Sequence, residues 1–190
     1  MVAAFRGRIL FALIVASFFI ARAEAADITV YAGGVKPGNI LDGRGISTAL
    51  DGSPVVGFRL GTDFVPHFGM EHTLSFSPDY LFPKNNFLFL APVTNAKGII
   101  FNSNLILSLP VGNMVPYVTA GVGLIHQYGS PDLPVGTKFA VNYGGGLKFP
   151  KLVGPLGLRF DARGYTATGL LGKKLNMLEV SGGLLLSIGH

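Results

Sequence analysis

Leu158-Arg159-Phe160-Asp161-Ala162-Arg163 sets three apolar side chains in alternation with three charged ones. A period of two marks a strand, because successive side chains of an extended chain leave it on opposite faces. One face of this strand is wholly apolar and the other wholly ionic. A soluble sheet buries the first and solvates the second, whereas a small transmembrane barrel turns the apolar face to lipid and keeps a polar lumen. The rest of the chain decides between them.

The alternation recurs. Phe139, Val141, Tyr143, Leu147 and Phe149 alternate with Ala140, Asn142, Gly144, Gly146 and Lys148, and Ile99, Phe101, Leu105, Leu107 and Leu109 alternate with Asn102, Asn104 and Ser108. Strands are predicted near 27–34, 54–64, 67–77, 97–109, 115–128, 138–149, 156–167 and 176–188. Their common phasing sends Arg59, Lys148, Arg159 and Arg163 inward with Asp63, Glu71, Asp161 and Glu179. Buried charges are costly unless paired, so this balanced set predicts ion pairs closing an interior that eight strands leave just wide enough for side chains. A last hairpin centred near Leu171 places Arg163 opposite Glu179. Ile100, Ile106, Ile125 and Leu185 also phase inward, so the lumen is not uniformly polar.

Between these strands the connections run long, short, long, short, medium, short, medium. They are Val35 to Ser53, Val65-Pro66, Pro78 to Ala96, Pro110 to Met114, Gly129 to Thr137, Pro150 to Pro155 and Thr168 to Leu175. Outer-membrane barrels have short periplasmic turns and longer external loops. With both termini in the periplasm, every long connection falls outside.

Met1 to Ala25 reads as a cleavable secretory signal, which leaves residues 26–190 as one barrel domain. Arg6 and Arg8 give a positive start, Ile9 to Ile20 an apolar run, and Ala23-Glu24-Ala25 a small-residue cleavage site. That run is shorter than the roughly 20 residues a membrane-spanning helix needs. Of all residues 49% are hydrophobic and 13% charged, which is apolar for a soluble secreted domain. Yet the most apolar later stretch, Asn104 to Ile125, is interrupted by Pro110, Gly112, Asn113 and Pro116. In hydrocarbon only helices and closed sheets satisfy every backbone polar group, and the interruptions leave the closed sheet. Cysteine is absent, which excludes disulfides, a lipidated cysteine and a thiolate metal site.

Asn104-Leu105-Ile106-Leu107 followed by Pro110, Pro116 through Leu124, Asn142-Tyr143-Gly144-Gly145-Gly146-Leu147, and Leu158 through Tyr165 resemble the outer-membrane protein β-barrel domain family. The resemblance is firmest from Lys97 to Tyr165. It implies an all-β, eight-stranded, antiparallel up-and-down transmembrane barrel of OmpA or OmpX type, a place in the cell outer membrane and insertion by the barrel-assembly machinery. Such barrels usually end on an aromatic residue, whereas Leu184, Leu186, Ile188 and His190 hold the outward phase here.

No catalytic residue, cofactor site or metal site is assigned. Lipid A deacylases resemble this chain in strand number and carry His-x-Ser, but His72 is followed by Thr73-Leu74-Ser75 and His126 by Gln127-Tyr128. A serine nucleophile needs a histidine within hydrogen-bonding reach. His126 with Tyr128, Ser130 and Asp132 is the one local constellation, and it reads as an interfacial histidine beside a belt tyrosine. His67 sits beside a turn, and no two histidines share a metal-binding spacing. Gly144-Gly145-Gly146 and Gly121-x-Gly123 lack the following helix that a phosphate loop requires, and read as places where large neighbours need room.

The 15 basic and 10 acidic residues fall to 12 and 9 once Arg6, Arg8, Arg22 and Glu24 leave with the signal. The lumen set cancels. The excess lies in the long connections and beside them, where Lys36, Arg44, Lys84, Lys97, Lys138, Lys173 and Lys174 outnumber Asp42, Asp51, Asp79 and Asp132. Outer-membrane lipid, lipopolysaccharide included, is the expected partner of this rim. Nucleic acid is not, because the basic residues are dispersed without a recognition element. The expected protein is thus a monomeric, non-catalytic barrel with a structural or surface-interaction role. The alternatives are a lipid-modifying enzyme, a small selective pore, and a soluble lipocalin-like barrel whose apolar set would face a ligand. A tag near Asp42 or Asn85 should bind antibody on intact cells and one near Gly112 should not; binding at Gly112 alone would reverse the orientation.

Overall fold

Antiparallel pairing of each strand with the next leaves two edges of unpaired amides, and this chain removes them by joining its first strand to its last. The structure, a computed structural model, describes residues 25–38, 40–41, 47–48, 52–81, 96–129, 136–170 and 173–188. Its strands are β1 (Ala25–Pro37), β2 (Ile40–Leu41), β3 (Ser47–Thr48), β4 (Ser53–Val65), β5 (Phe68–Leu81), β6 (Ala96–Ser108), β7 (Val115–Tyr128), β8 (Gly136–Val153), β9 (Leu156–Leu170) and β10 (Lys173–Ile188). All but β2 and β3 form one closed barrel in the order β1-β10-β9-β8-β7-β6-β5-β4. Closure sets Ala26 opposite Ile188 and Pro37 opposite Met177. The eight-stranded, antiparallel, up-and-down barrel expected from the alternation is the observed fold.

β2 and β3 pair as a small hairpin between β1 and β4, which two residues per strand are too few to announce by periodicity. Several expected connections are shorter than foreseen, the sixth and the last most of all in proportion. β8 continues past Pro150 to Val153, because a register shift between Phe149 and Val153, with Lys151 at φ 56°, absorbs the proline without ending the ladder. β9 runs to Leu170 and β10 begins at Lys173, with Leu170 opposite Lys173, so two residues separate the last two strands. Val65 to Phe68, Ser108 to Val115 and Val153 to Leu156 turn at the end that carries both Ala25 and Ile188, here called the turn end. The remaining connections lie at the opposite, loop end.

The faces are inverted relative to a soluble barrel. Phe160 is 51% exposed and Val141 46%, while Arg59, Glu71, Arg163 and Glu179 are 0% exposed. Val30, Phe58, Leu105, Val118, Val122, Tyr143, Val180 and Leu184 extend the exposed apolar surface around the wall. This overturns the lipocalin alternative, which requires Phe160 inside and Arg159, Asp161 and Arg163 outside.

Inside, the filling is layered. Val35, Tyr80, Ala96, Ile100, Ile125, Ala140, Tyr165, Ala167, Leu175 and Met177 form an apolar cluster near the loop end, where Tyr80 Oη donates to Met177 Sδ. Charged side chains occupy the middle, and Ile106 and Leu185 are buried below them. The inward glycines make room for this filling. A Cβ on Gly146 would collide with the Tyr117 ring, and one on Gly123 with the Asn102 amide.

Replacing Phe160 or Val141 by Arg, near mid-wall, should destabilise the protein in a bilayer by about 2–4 kcal/mol, measured by urea unfolding from vesicles, since a charge on a lipid-facing wall has that cost. Val141→Leu should be near neutral. Equal tolerance of Arg and Leu at position 141 would mean that this face does not meet lipid.

Candidate functional site: the ion network of the lumen

Four strands supply the central charges: β4 gives Arg59, β5 gives Glu71, β9 gives Arg159, Asp161 and Arg163, and β10 gives Glu179. Because β9 alternates strictly, its three charges project into one interior within five residues. Asp161 sits between two guanidiniums of its own strand, with Oδ2 3.0 Å from Arg159 Nε and Oδ1 2.9 Å from Arg163 Nη2. From across the lumen Arg59 Nη1 reaches Asp161 Oδ2 at 2.8 Å, and its Nη2 reaches Glu179 Oε1 at 2.7 Å. Glu71 bridges the other two arginines, accepting from Arg163 Nη2 at 2.6 Å and from Arg159 Nη1. Three cations therefore meet three anions, and all of them but Glu179 have more than one partner of opposite charge.

Hydroxyls and rings complete the cluster. Tyr165 Oη donates to Glu179 Oε2 at 2.9 Å, Ser181 Oγ to Glu179 Oε1 at 3.1 Å, and Tyr117 Oη to Asp161. The Arg59 guanidinium stacks 3.6 Å above the Tyr31 ring centroid, and that of Arg159 lies 4.7 Å from the Tyr117 centroid. Beside them Asn104 Nδ2 donates to Asn142 Oδ1 and to Thr119 Oγ1. Such multiple donation offsets the desolvation of charges whose exposure is 4% or less.

Six of the eight residues expected in the lumen network meet in this cluster. Lys148 pairs nearer the turn end with Asp27, Nζ to Oδ2 2.6 Å, and Asp63 is half-buried at the cavity there. Asp27 was missed by sequence reasoning, although Asp27, Thr29 and Tyr31 alternate with Ile28 and Val30 and so carry the inward phase. The expected Arg163–Glu179 pair is corrected. The two residues are register partners on β9 and β10, but Arg163 turns to Glu71 and Asp161 while Glu179 turns to Arg59. Register fixes which backbones adjoin; long side chains then choose partners across the barrel. Below the cluster, Asp27, Asp63, His67, Ser108, Lys148 and Ser187 line a cavity of about 550 Å³ that opens at the turn end.

On the outer wall His72 Nδ1 lies 2.9 Å from Ser103 Oγ and its ring stacks on Phe101. This His–Ser contact escapes any reading of local motifs because it joins register partners on β5 and β6. His126 Nδ1 lies 3.0 Å from Thr137 Oγ1 and stacks on Tyr128, whereas Ser130 and Asp132 fall outside the described residues. Among the described residues no group of His, Asp and Glu is placed to hold a metal ion. Met1 to Glu24, Asp42, Arg44, Asp51, Lys84, Asn85 and His190, all named in the sequence reading, also lie outside them.

No family model and no curated sequence matches the chain. Among solved structures, Neisserial surface protein A aligns over 85% of this chain and 97% of its own, with 13% identity and a TM-score of 0.63. The N-terminal β-barrel domain of Pseudomonas aeruginosa OprF aligns over 86% and 98%, with 16% identity and a TM-score of 0.51. Both are small eight-stranded outer-membrane barrels, and at these identities the likeness is one of fold.

Glu179→Ala should leave Arg59 buried beside an unfilled partner position and cost about 3–5 kcal/mol. Double-mutant cycles by urea unfolding should give a larger coupling for Arg59 with Glu179 than for Arg163 with Glu179. An Arg59–Glu179 coupling within about 0.3 kcal/mol of zero, the range of independent sites, would contradict the network.

Proposed function

We propose that this chain is an outer-membrane β-barrel, delivered by cleavage of Met1–Ala25 and inserted as residues 26–190 by the barrel-assembly machinery, with a structural or surface-interaction role and no catalytic step. The observation that carries the reading is the inverted polarity of the wall. Large apolar side chains stand exposed around the outside while three arginines and three carboxylates are buried within. Water would penalise that exterior and lipid rewards it. The fold shared with the two solved outer-membrane barrels supports the same address.

The lumen is closed rather than conducting. The apolar cluster fills the barrel near the loop end, and in the ion network below it every charged group is paired with a member of opposite sign. An ion crossing the barrel would have to displace both layers. The cavity at the turn end, whose lining reaches only to Asp27 and Lys148, therefore stops short of the network as a blind vestibule. With no path through the barrel, interaction falls to the outer wall and the loop end, where Lys36 and Lys97 are exposed. The chain acts as a monomer, since closure leaves no strand edge to share.

Cell fractionation with heat-modifiable gel mobility tests the address: the protein should partition with the outer membrane and migrate faster unheated than boiled. Recovery in the soluble periplasm would contradict it. In planar bilayers the purified protein should give no single-channel steps; steady steps would contradict the closed lumen.

A further inference from the structure

We propose that one flank of the wall, across β9, β10 and β1, holds an anionic membrane lipid in place, its acyl chain in a surface groove and its headgroup phosphate at Lys36. The proposal rests on the membrane reading above. Two depressions shape this flank. The upper one, about 570 Å³, includes Lys36, Tyr143, Ala162, Gly164 and Leu178 in its lining. The lower one, about 550 Å³, includes Ala32, Phe160, Gly182 and Leu184. They abut on β9, where Phe160 and Ala162 are consecutive outward residues.

Registration explains the relief. Leu178 is opposite both Lys36 and Gly164, and Gly164 is opposite Tyr143, so at that level the tyrosine ring lies over Gly164 and forms one side of the depression, with Leu178 and Lys36 also in its lining. Nearer the turn end Gly182 is opposite both Ala32 and Phe160, and Ala32 is opposite Val56. There the Phe160 ring leans over Gly182, and the depression lies at Ala32 between Val56 and that ring. A methylene chain laid along these hollows gains contact on its sides as well as beneath, more than a convex wall offers.

The charge at the upper end selects the occupant. Lys36 is exposed on β1 close to the loop end and has no carboxylate partner among the described residues. Beside it Asn176 is exposed, with Oδ1 accepting from Thr166 Oγ1 at 3.0 Å, which leaves its amide N–H groups as donors. A cation and amide donors at one end of an apolar groove match a phosphate above an acyl chain. On β6, diametrically opposite the central strand of this flank, β10, Lys97 is exposed and is not among the residues lining either depression.

The test is native mass spectrometry of the full barrel released from nanodiscs of equimolar phosphatidylglycerol and phosphatidylcholine. The wild-type protein should retain the anionic lipid preferentially, and Lys36→Glu should lower that preference about fivefold, the size expected for one cation at an anionic headgroup. Lys97→Glu should lower it measurably less. Ala162→Leu with Ala32→Leu, which fills the groove at exposed positions, should reduce retention of both lipids while leaving heat-modifiable mobility intact. Equal loss at Lys36 and Lys97, or undiminished retention with the groove filled, would overturn the proposal while leaving the membrane barrel standing. Failure of the wild-type protein to enter nanodiscs at all would overturn both.

Discussion

Closure of β1 on β10 is the constraint from which the rest follows. In hydrocarbon an unpaired amide or carbonyl costs several kcal/mol, so a sheet can enter only if it has no edge. The register from Ala26–Ile188 to Pro37–Met177 removes the last edge. Once the wall is closed, the period of two forces each strand to give half its side chains to the outside and half to a space too narrow for bulk water. The charges of β9 then have nowhere to go but inward, and they must find partners there.

The partners come from across the lumen as well as from along β9. Asp161 joins Arg59, Arg159 and Arg163, and Glu71 joins Arg159 and Arg163, while Glu179 joins Arg59 and the hydroxyls of Tyr165 and Ser181, so no carboxylate of the cluster depends on one partner. Sharing of this kind rigidifies a barrel, because rotation of any one side chain breaks contacts with several others. The apolar cluster above it and the Lys148–Asp27 pair below set the network between two different environments. A barrel so filled presents only its exterior for recognition.

Much of this was legible in the sequence because a single rule, alternation, governs both faces. Leu158 through Arg163 gave the phase, and the other seven barrel strands took the same phase wherever Gly, Asn and charge alternated with large apolar residues. What escaped was set by reach and by local irregularity. Periodicity places Arg163 opposite Glu179, yet a guanidinium several bonds from its backbone can answer a carboxylate on a distant strand instead. The bulge after Phe149, which carries β8 past Pro150, leaves the proline looking like a terminator. Tyr80 and Met177 meet near the loop end because β5 extends to Leu81, beyond the point where Pro78 breaks the pattern.

The central claim is that the outer face meets lipid and that the lumen beyond the turn-end vestibule is closed to water. The chain contains no cysteine, so single substitutions on β8 report on each face without background. Ala140 is fully buried and Val141 is 46% exposed. In vesicles, Val141→Cys should react with a lipid-soluble maleimide and Ala140→Cys with neither that reagent nor a water-soluble one from either side. Labelling of Ala140→Cys by the lipid-soluble reagent while Val141→Cys stays inert would invert the faces, and labelling of Ala140→Cys from water would open the lumen; either result contradicts the account.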